Sequence, residues 1–322
     1  MSAAFSLPRA VRRNGWVAGL GALLAALLVV TRIIQPSYGA SGIGSLAQAA
    51  LPFAFAAAAQ TVVVLTGGID LSIASMMALT SVTAAVLMQG GSEELAILVV
   101  LFVLCLGLVI GAINGALVVL TRVPDIVVTL AMLFVWEGTA LLVLEAPGGA
   151  AAEWLKGLVV GSVGIAWIPK AFVLTLVALA VVWIPLRRSR LGLSMYAVGS
   201  DRLAAFRSGV NVERTKIMAY ALAGLFAAMG GLVLTMSTGI GAPIPGPYLL
   251  ASVAAVVLGG VALVGGTGGL VGPIVAVFIL RLLRTDLTFL SIDPNVATIV
   301  EGTIMVVVVM LGGLLALRSR AP

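Results

Sequence analysis

The chain has 322 residues, 61% of them hydrophobic and 9% charged, with a formal net charge of +6 and no histidine. Soluble domains average about 25% charged residues, and the mean hydropathy here is +1.23, so a soluble fold is excluded. Without histidine there is no Ser-His catalysis, no H-E-x-x-H zinc site and no histidine proton relay.

In chain order, apolar runs of bilayer-spanning length occupy 15–34, 43–66, 72–88, 95–120, 125–144, 169–186, 216–236, 248–265, 269–290 and 296–316. None shows the alternating polarity of a transmembrane β-barrel strand. The fold class expected is an all-α polytopic membrane protein of about ten transmembrane helices, a single domain over 1–322. With both termini inside, thirteen basic residues are cytoplasmic: Arg9, Arg12, Arg13, Arg122, seven between 187 and 216, Arg318 and Arg320. Only Arg32, Lys156 and Lys170 fall outside, and the positive-inside rule selects that orientation. The first run is longer than a signal-peptide core and "QPSYGASG" has no clear A-x-A site, so it is expected to stay as the first span. The positive charge calls for no nucleic acid, because cytoplasmic loops face anionic membrane lipid. Cys105, alone in an apolar run, is expected to be a buried packing residue.

Between the second and third runs stands "LTGGIDLS" (65–72), which places one carboxylate, Asp70, among apolar neighbours. A helix ending at Gly67-Gly68 leaves carbonyls unpaired, and the next, starting near Ser72, leaves N–H groups unpaired. Asp70 is placed to accept those N–H groups as an N-cap; a direct solute or gating contact is the other reading. A second glycine break, "GGTGG" (265–269), follows the eighth run. Breaks in both halves make spans 2–5 and 7–10 candidate inverted repeats around a solute path, although the two do not fall at equivalent positions. Asp70 and Asp125 are the one pair from which an intramembrane aspartyl protease could be built. Both flank span ends rather than span centres, so catalysis is not expected.

The segment 187–215 is predicted cytoplasmic and 145–167 external. Within the former, "SDRLAAFRSG" reads as a short helix, with Ser200 as cap, Asp201 in the first turn and Gly209 closing the end. Asn211 with Glu213 reads as the start of the seventh span. Such a short helix is marginal alone in water, so either a docking partner orders it or it is a solvated amphipathic loop. No G-x-x-x-x-G-K-[ST] loop occurs, so ATP would be hydrolysed on another polypeptide.

Five motifs occur in order: "LTGGIDLS" (65–72), "GAINGALV" (111–118), "VPDIVVTLAML" (123–133) with Glu137-Gly138, "GLSMYAVGSDRLAAFRSGVN" (192–211) and "GGTGGLVGP" (265–273). On these the chain resembles the membrane permease subunits of bacterial ABC importers for ribose and related monosaccharides, in the branched-chain amino acid/ribose permease superfamily. The resemblance implies transport of a monosaccharide or related small polar solute by alternating access in the inner membrane. It also implies a second permease subunit, identical or related, a periplasmic sugar-binding protein and a cytoplasmic ATPase with two nucleotide-binding domains. ATP and magnesium would lie on that ATPase, with no cofactor on this chain. Gly192, Ala197, Gly199, Ala205 and Gly209 match the family's coupling loop, which would dock the ATPase together with Ser200, Asp201, Leu203 and Phe206. Gly67, Gly68, Asp70, Ser72, Asn114, Thr129, Gly265, Gly266 and Gly268 are the helix-break and pathway candidates. Ser200 stands where asparagine is common, Ile73-Ala74 where valine-glycine is usual, Ala131 where glycine is usual, and Arg281 and Arg284 where relatives often carry Asn-Gly.

Sugars are neutral, so their path needs hydrogen-bonding side chains; Gln48, Gln60, Asn114, Thr129 and Ser252 lie on or beside spans. Each is also an ordinary interhelical bonding residue. The rival reading is an ion-coupled secondary transporter using Asp70 or Glu301. A scaffold without transport leaves the glycine breaks unexplained.

Overall fold

The computed structural model describes residues 15–318, without some side chains of the last helix. Arg9, Arg12, Arg13 and Arg320 therefore lie outside the described residues, as do the side chains of Glu301 and Arg318. The helices are α1 (Gly15–Ile34), α2 (Ala40–Leu65), α3 (Ile73–Met88), α4 (Leu95–Thr121), α5 (Asp125–Val143) and α6 (Glu153–Val159). They continue with α7 (Lys170–Arg188), α8 (Arg190–Ser200), α9 (Arg202–Arg207), α10 (Val212–Thr238), α11 (Tyr248–Leu258), α12 (Val271–Phe289) and α13 (Pro294–Arg318). A small antiparallel hairpin, β1 (Ser162–Val163) with β2 (Ile165–Pro169), corrects the all-α expectation locally.

Every apolar run contains a helix, but not every helix is a full span. Among the described residues six helices (α1, α2, α4, α5, α7 and α10) are long and apolar enough to cross a membrane. Helix α12 carries Arg281, Arg284 and Asp286 within its 19 residues. The run 248–265 was expected to be continuous helix; instead α11 has 11 residues, a rise of roughly 16 Å against a hydrocarbon core of roughly 30 Å. The chain turns at Gly259-Gly260, where Gly260 has φ +79°. A Cβ on Gly259 would strike the backbone of Gly272 and Pro273, so α12 returns directly against the end of α11. The indole of Trp16 on α1 donates to the Leu258 carbonyl at 2.8 Å and satisfies one orphan acceptor of that end.

Lipid tails are as apolar as Leu, so helix association here rests on packing and interhelical hydrogen bonds. Helix α2 runs through the interior, with Leu51, Phe55 and Leu65 at 0–1% exposure. Helices α4 and α10, 27 residues each, cross through small residues: a Cβ on Gly107, Gly111 or Gly115 would collide with α10 at Gly224, Ala228, Ile217 or Tyr220. This crossing decides which face of α4 is inward. Cys105, expected to be buried, is on the opposite face and exposed.

Two ends of the molecule are tied by distinct contacts. At one, the connections 66–72 and 259–270 meet the segment 189–216. At the other, Gly148 bridges Gly241, Ala150 N–H donates to the Ala85 carbonyl at 3.0 Å and Trp154 Nε1 donates to the Glu93 carbonyl at 3.0 Å.

Candidate functional site

The segment 189–216 is almost wholly helical. The Ser189 hydroxyl accepts the Gly192 N–H at 3.1 Å and starts α8. The cap of α9 is one residue later than expected: Asp201 Oδ1 accepts the N–H groups of Leu203 and Ala204, each at 2.9 Å, while Ser200 ends α8. The shift has a simple cause, because Asp201 is extended at φ −157° and only an extended residue can aim its side chain at the following N–H groups. Gly209 at φ +84° closes α9 in a left-handed cap, with Val210 N–H on the Ala205 carbonyl and Gly209 N–H on Phe206. Asn211 Oδ1 then accepts Arg214 N–H at 2.8 Å and opens α10.

Ala205 packs inward with Val198 and Val212, while Leu203 and Phe206 stand 56% and 67% exposed. Beside them a groove of about 690 Å³ runs between α9 and the start of α10, lined in part by Leu203, Phe206, Val210 and Asn211. An aromatic and a leucine thus stand exposed together on a capped turn.

The two glycine breaks, distant in sequence, meet beneath this surface. Gly266 N–H donates to the Leu65 carbonyl at 3.1 Å, and Gly265 lies against Gly67. Gly199 is wedged between them: a Cβ there would strike the Leu65 carbonyl and the Gly266 amide. Gly266 in turn has no room for a Cβ beside Ser200, and Tyr196 OH donates to the Gly268 carbonyl at 2.9 Å. Gly67, Gly265, Gly266 and Gly268 all have positive φ, so the joint needs glycine for backbone shape as well as for close approach.

Asp70 is fully buried, and its Oδ1 accepts the Ser72 N–H at 2.8 Å and the Ser72 hydroxyl at 2.6 Å. This corrects the N-cap expectation: the carboxylate braces the turn ahead of α3, and no side chain caps the first turn of α3 itself. The chain of bonds continues from Asn114 Nδ2 to Ser72 Oγ at 2.7 Å and from Trp136 Nε1 to Asn114 Oδ1 at 3.0 Å. Asn114 thus joins the break to α4 and α5. Thr129 Oγ1 accepts the Leu71 N–H at 3.0 Å. Ser252 bonds within its own helix, and Gln48 is half-buried. Gln60 is fully buried, with neither side-chain polar atom bonded among the described residues.

Sequence reading missed one cluster. Lys216 Nζ lies 2.9 Å from Asp125 Oδ2 and 3.1 Å from Oδ1, and Tyr220 OH donates to Oδ2 at 3.0 Å. The signal was present: Asp125 and Lys216 are opposite charges heading two apolar runs on the same predicted side. The ninth-span arginines are also placed, Arg281 with its guanidinium 4.5 Å from the Phe53 ring centre, beside Tyr248. Among the described residues no group of three or more His, Cys, Asp or Glu could hold a metal.

This arrangement is an apolar helical bundle whose two glycine breaks meet a short capped helical segment. A family model described as "Branched-chain amino acid transport system / permease component" matches residues 42–309, and the chain belongs to that family. It is similar to the Autoinducer 2 import system permease protein LsrD of Escherichia coli (strain K12) and of Shigella flexneri. Each is 28% identical over 312 residues, which covers 92% of this chain and 92% of the relative. No solved structure matches. Family and apolar helices together make it a multi-pass protein of the bacterial inner membrane.

Proposed function

We propose that the chain is the membrane subunit of an ATP-driven importer that moves a monosaccharide or related small polar solute by alternating access. The observation that carries this is the joint at Leu65, Gly199 and Gly266, where the end of α8, directly ahead of the exposed helix α9, abuts both glycine breaks at once. Movement of a docked ATPase would reach both halves of the chain through that joint. The ATPase would have two nucleotide-binding domains and hold the ATP and magnesium. A second permease subunit would complete the path, and a periplasmic binding protein would deliver the solute. The ten-span arrangement with both termini cytoplasmic fits this reading, because it puts the joint and the docking helix on the ATPase side. The relatives named for autoinducer 2 import make that compound the second solute to try after ribose; the family description adds a branched-chain amino acid as the third.

The test is uptake into ATP-loaded membrane vesicles carrying the permease with a candidate ATPase and binding protein, with ribose, autoinducer 2 and leucine as labelled solutes. Uptake of one solute that requires ATP, together with ATPase co-purification lost in Phe206→Ala, is the expected result. Uptake that persists without the ATPase and follows an imposed ion gradient overturns the proposal.

A further inference from the structure

We infer that Asp125, Lys216 and Tyr220 form a positioning element that ties the first glycine break to the helix driven by the docking segment. This inference rests on the importer reading above and names the residues that would carry its motion. The seven residues 66–72 form a non-helical bridge between α2 and α3. The docking segment reaches that bridge or its flank from both ends. Its N-terminal half abuts Leu65, the residue just ahead of the bridge, through Gly199, and abuts Gly266 of the second break through Gly199 and Ser200. At its C-terminal end Lys216, with Tyr220 one turn further along α10 and on the same helix face, reaches Gly68 of the bridge through Asp125.

The grip runs through one carboxylate. Asp125 Oδ2 takes both the Lys216 ammonium at 2.9 Å and the Tyr220 hydroxyl at 3.0 Å. The same oxygen rests on Gly68, where an added Cβ would strike it, and the Tyr220 hydroxyl would be 3.0 Å from that Cβ. One turn along α5, Thr129 holds the Leu71 N–H. Helix α5 therefore holds the bridge at Gly68 and at Leu71, and α10 holds α5 at Asp125. Exposed ion pairs contribute little. Here the side chains are only 12% and 16% exposed and Tyr220 is fully buried, so loss of either charge leaves the other poorly compensated. A displacement of the first turn of α10 must carry Asp125 and Gly68 with it or break these bonds.

The test reads motion at the joint without any solute. In a Cys105→Ser chain, Val264→Cys supplies a thiol at an exposed position whose backbone abuts Gly67. The protein is reconstituted with its ATPase in liposomes of E. coli polar lipid, and maleimide labelling is followed with no nucleotide and with ATP plus vanadate. Nucleotide trapping is expected to change the labelling rate by about fivefold, the lower end of usual coupling between sites. Lys216→Met and Asp125→Asn should abolish that change while the ATPase still co-purifies, and Lys216→Arg should retain it. An unaltered nucleotide response in both Lys216→Met and Asp125→Asn overturns the inference and leaves the importer reading standing. Failure of both neutralised variants to insert, with Lys216→Arg normal, makes the cluster structural and also overturns it. A parent chain that binds no ATPase overturns the importer reading itself, and the inference with it.

Discussion

Gly199 sits directly against the carbonyl of Leu65, the same oxygen that accepts the Gly266 amide at 3.1 Å. No side-chain atom fits between them. Gly199→Ala must therefore push the end of α8 away from the joint or break the Leu65–Gly266 bond, at a cost of about 1–3 kcal/mol, as for overpacking elsewhere. Heating detergent-solubilised protein before fluorescence-detected size exclusion should show a lower midpoint for Gly199→Ala than for the parent. It should also show less ATP-dependent uptake at equal membrane levels. Equal midpoints and equal uptake would show that the joint is slack.

Much of this fold was legible because a bilayer leaves few choices. Ten apolar runs, the two glycine breaks and the Asn211 start of α10 could all be read, since length, glycine and capping side chains are local signals. What faces what could not be read. In a soluble helix the polar stripe marks the outside, but α4 is apolar all round, so nothing in its pattern says that Gly107, Gly111 and Gly115 face inward and Cys105 outward. The stop of α11 at Leu258 was hidden for the same reason: Val261, Leu263 and Val264 continue the apolar run as loop, with Val261 buried, Leu263 half-buried and Val264 exposed. The meeting of Gly67 with Gly265, and of Asp125 with Lys216, is long-range and leaves no mark on local periodicity.

Asp70 offers a sharper probe of the first break. Its Oδ1 serves the Ser72 N–H and hydroxyl, whereas Oδ2 has no bonded partner among the described residues. Asparagine keeps the accepting oxygen, so Asp70→Asn should change stability by less than about 1 kcal/mol. Leucine removes the acceptor and leaves a buried N–H unpaired, so Asp70→Leu should cost about 1–3 kcal/mol and reduce folded protein in the membrane. Transport abolished in Asp70→Asn at normal expression would show that the charge, and not the turn brace, is what the chain needs.

The α4–α10 crossing predicts a contrast between two glycines. A Cβ on Gly224 would collide with the Gly107 carbonyl and the Gly111 backbone, whereas one on Gly21 of α1 would touch nothing. Gly224→Val should therefore separate the helices and cost about 1–3 kcal/mol or more. Gly21→Ala should be neutral or stabilising by up to about 1 kcal/mol, because glycine gains conformational freedom on unfolding. Thermal midpoints in the same detergent provide the comparison, and a tolerated Gly224→Val would mean that the close approach is not required.

Joining the charge bias to the contacts makes sidedness a prediction. The segment 189–216 meets 66–72 and 259–270 at one end, and thirteen basic residues are assigned to that side. The bridge of Gly148 to Gly241 and the bond of Trp154 to Glu93 gather 93, 148–154 and 241 at the other. Helix α10, long and apolar enough to cross a membrane, runs from the first group to the second, so the two are expected on opposite faces. Ser208 and Ala166 are exposed members of the opposite ends, and Ser208 caps α9 through its backbone N–H, which a change to cysteine keeps. In a Cys105→Ser chain, Ser208→Cys should react with an impermeant maleimide only in inside-out vesicles, and Ala166→Cys only in right-side-out spheroplasts. If both label from the same side, the ten-span orientation fails and the docking helix loses its access to a cytoplasmic ATPase. If both label from the reversed sides, the positive-inside assignment is wrong while the pairing of contacts at each end still stands.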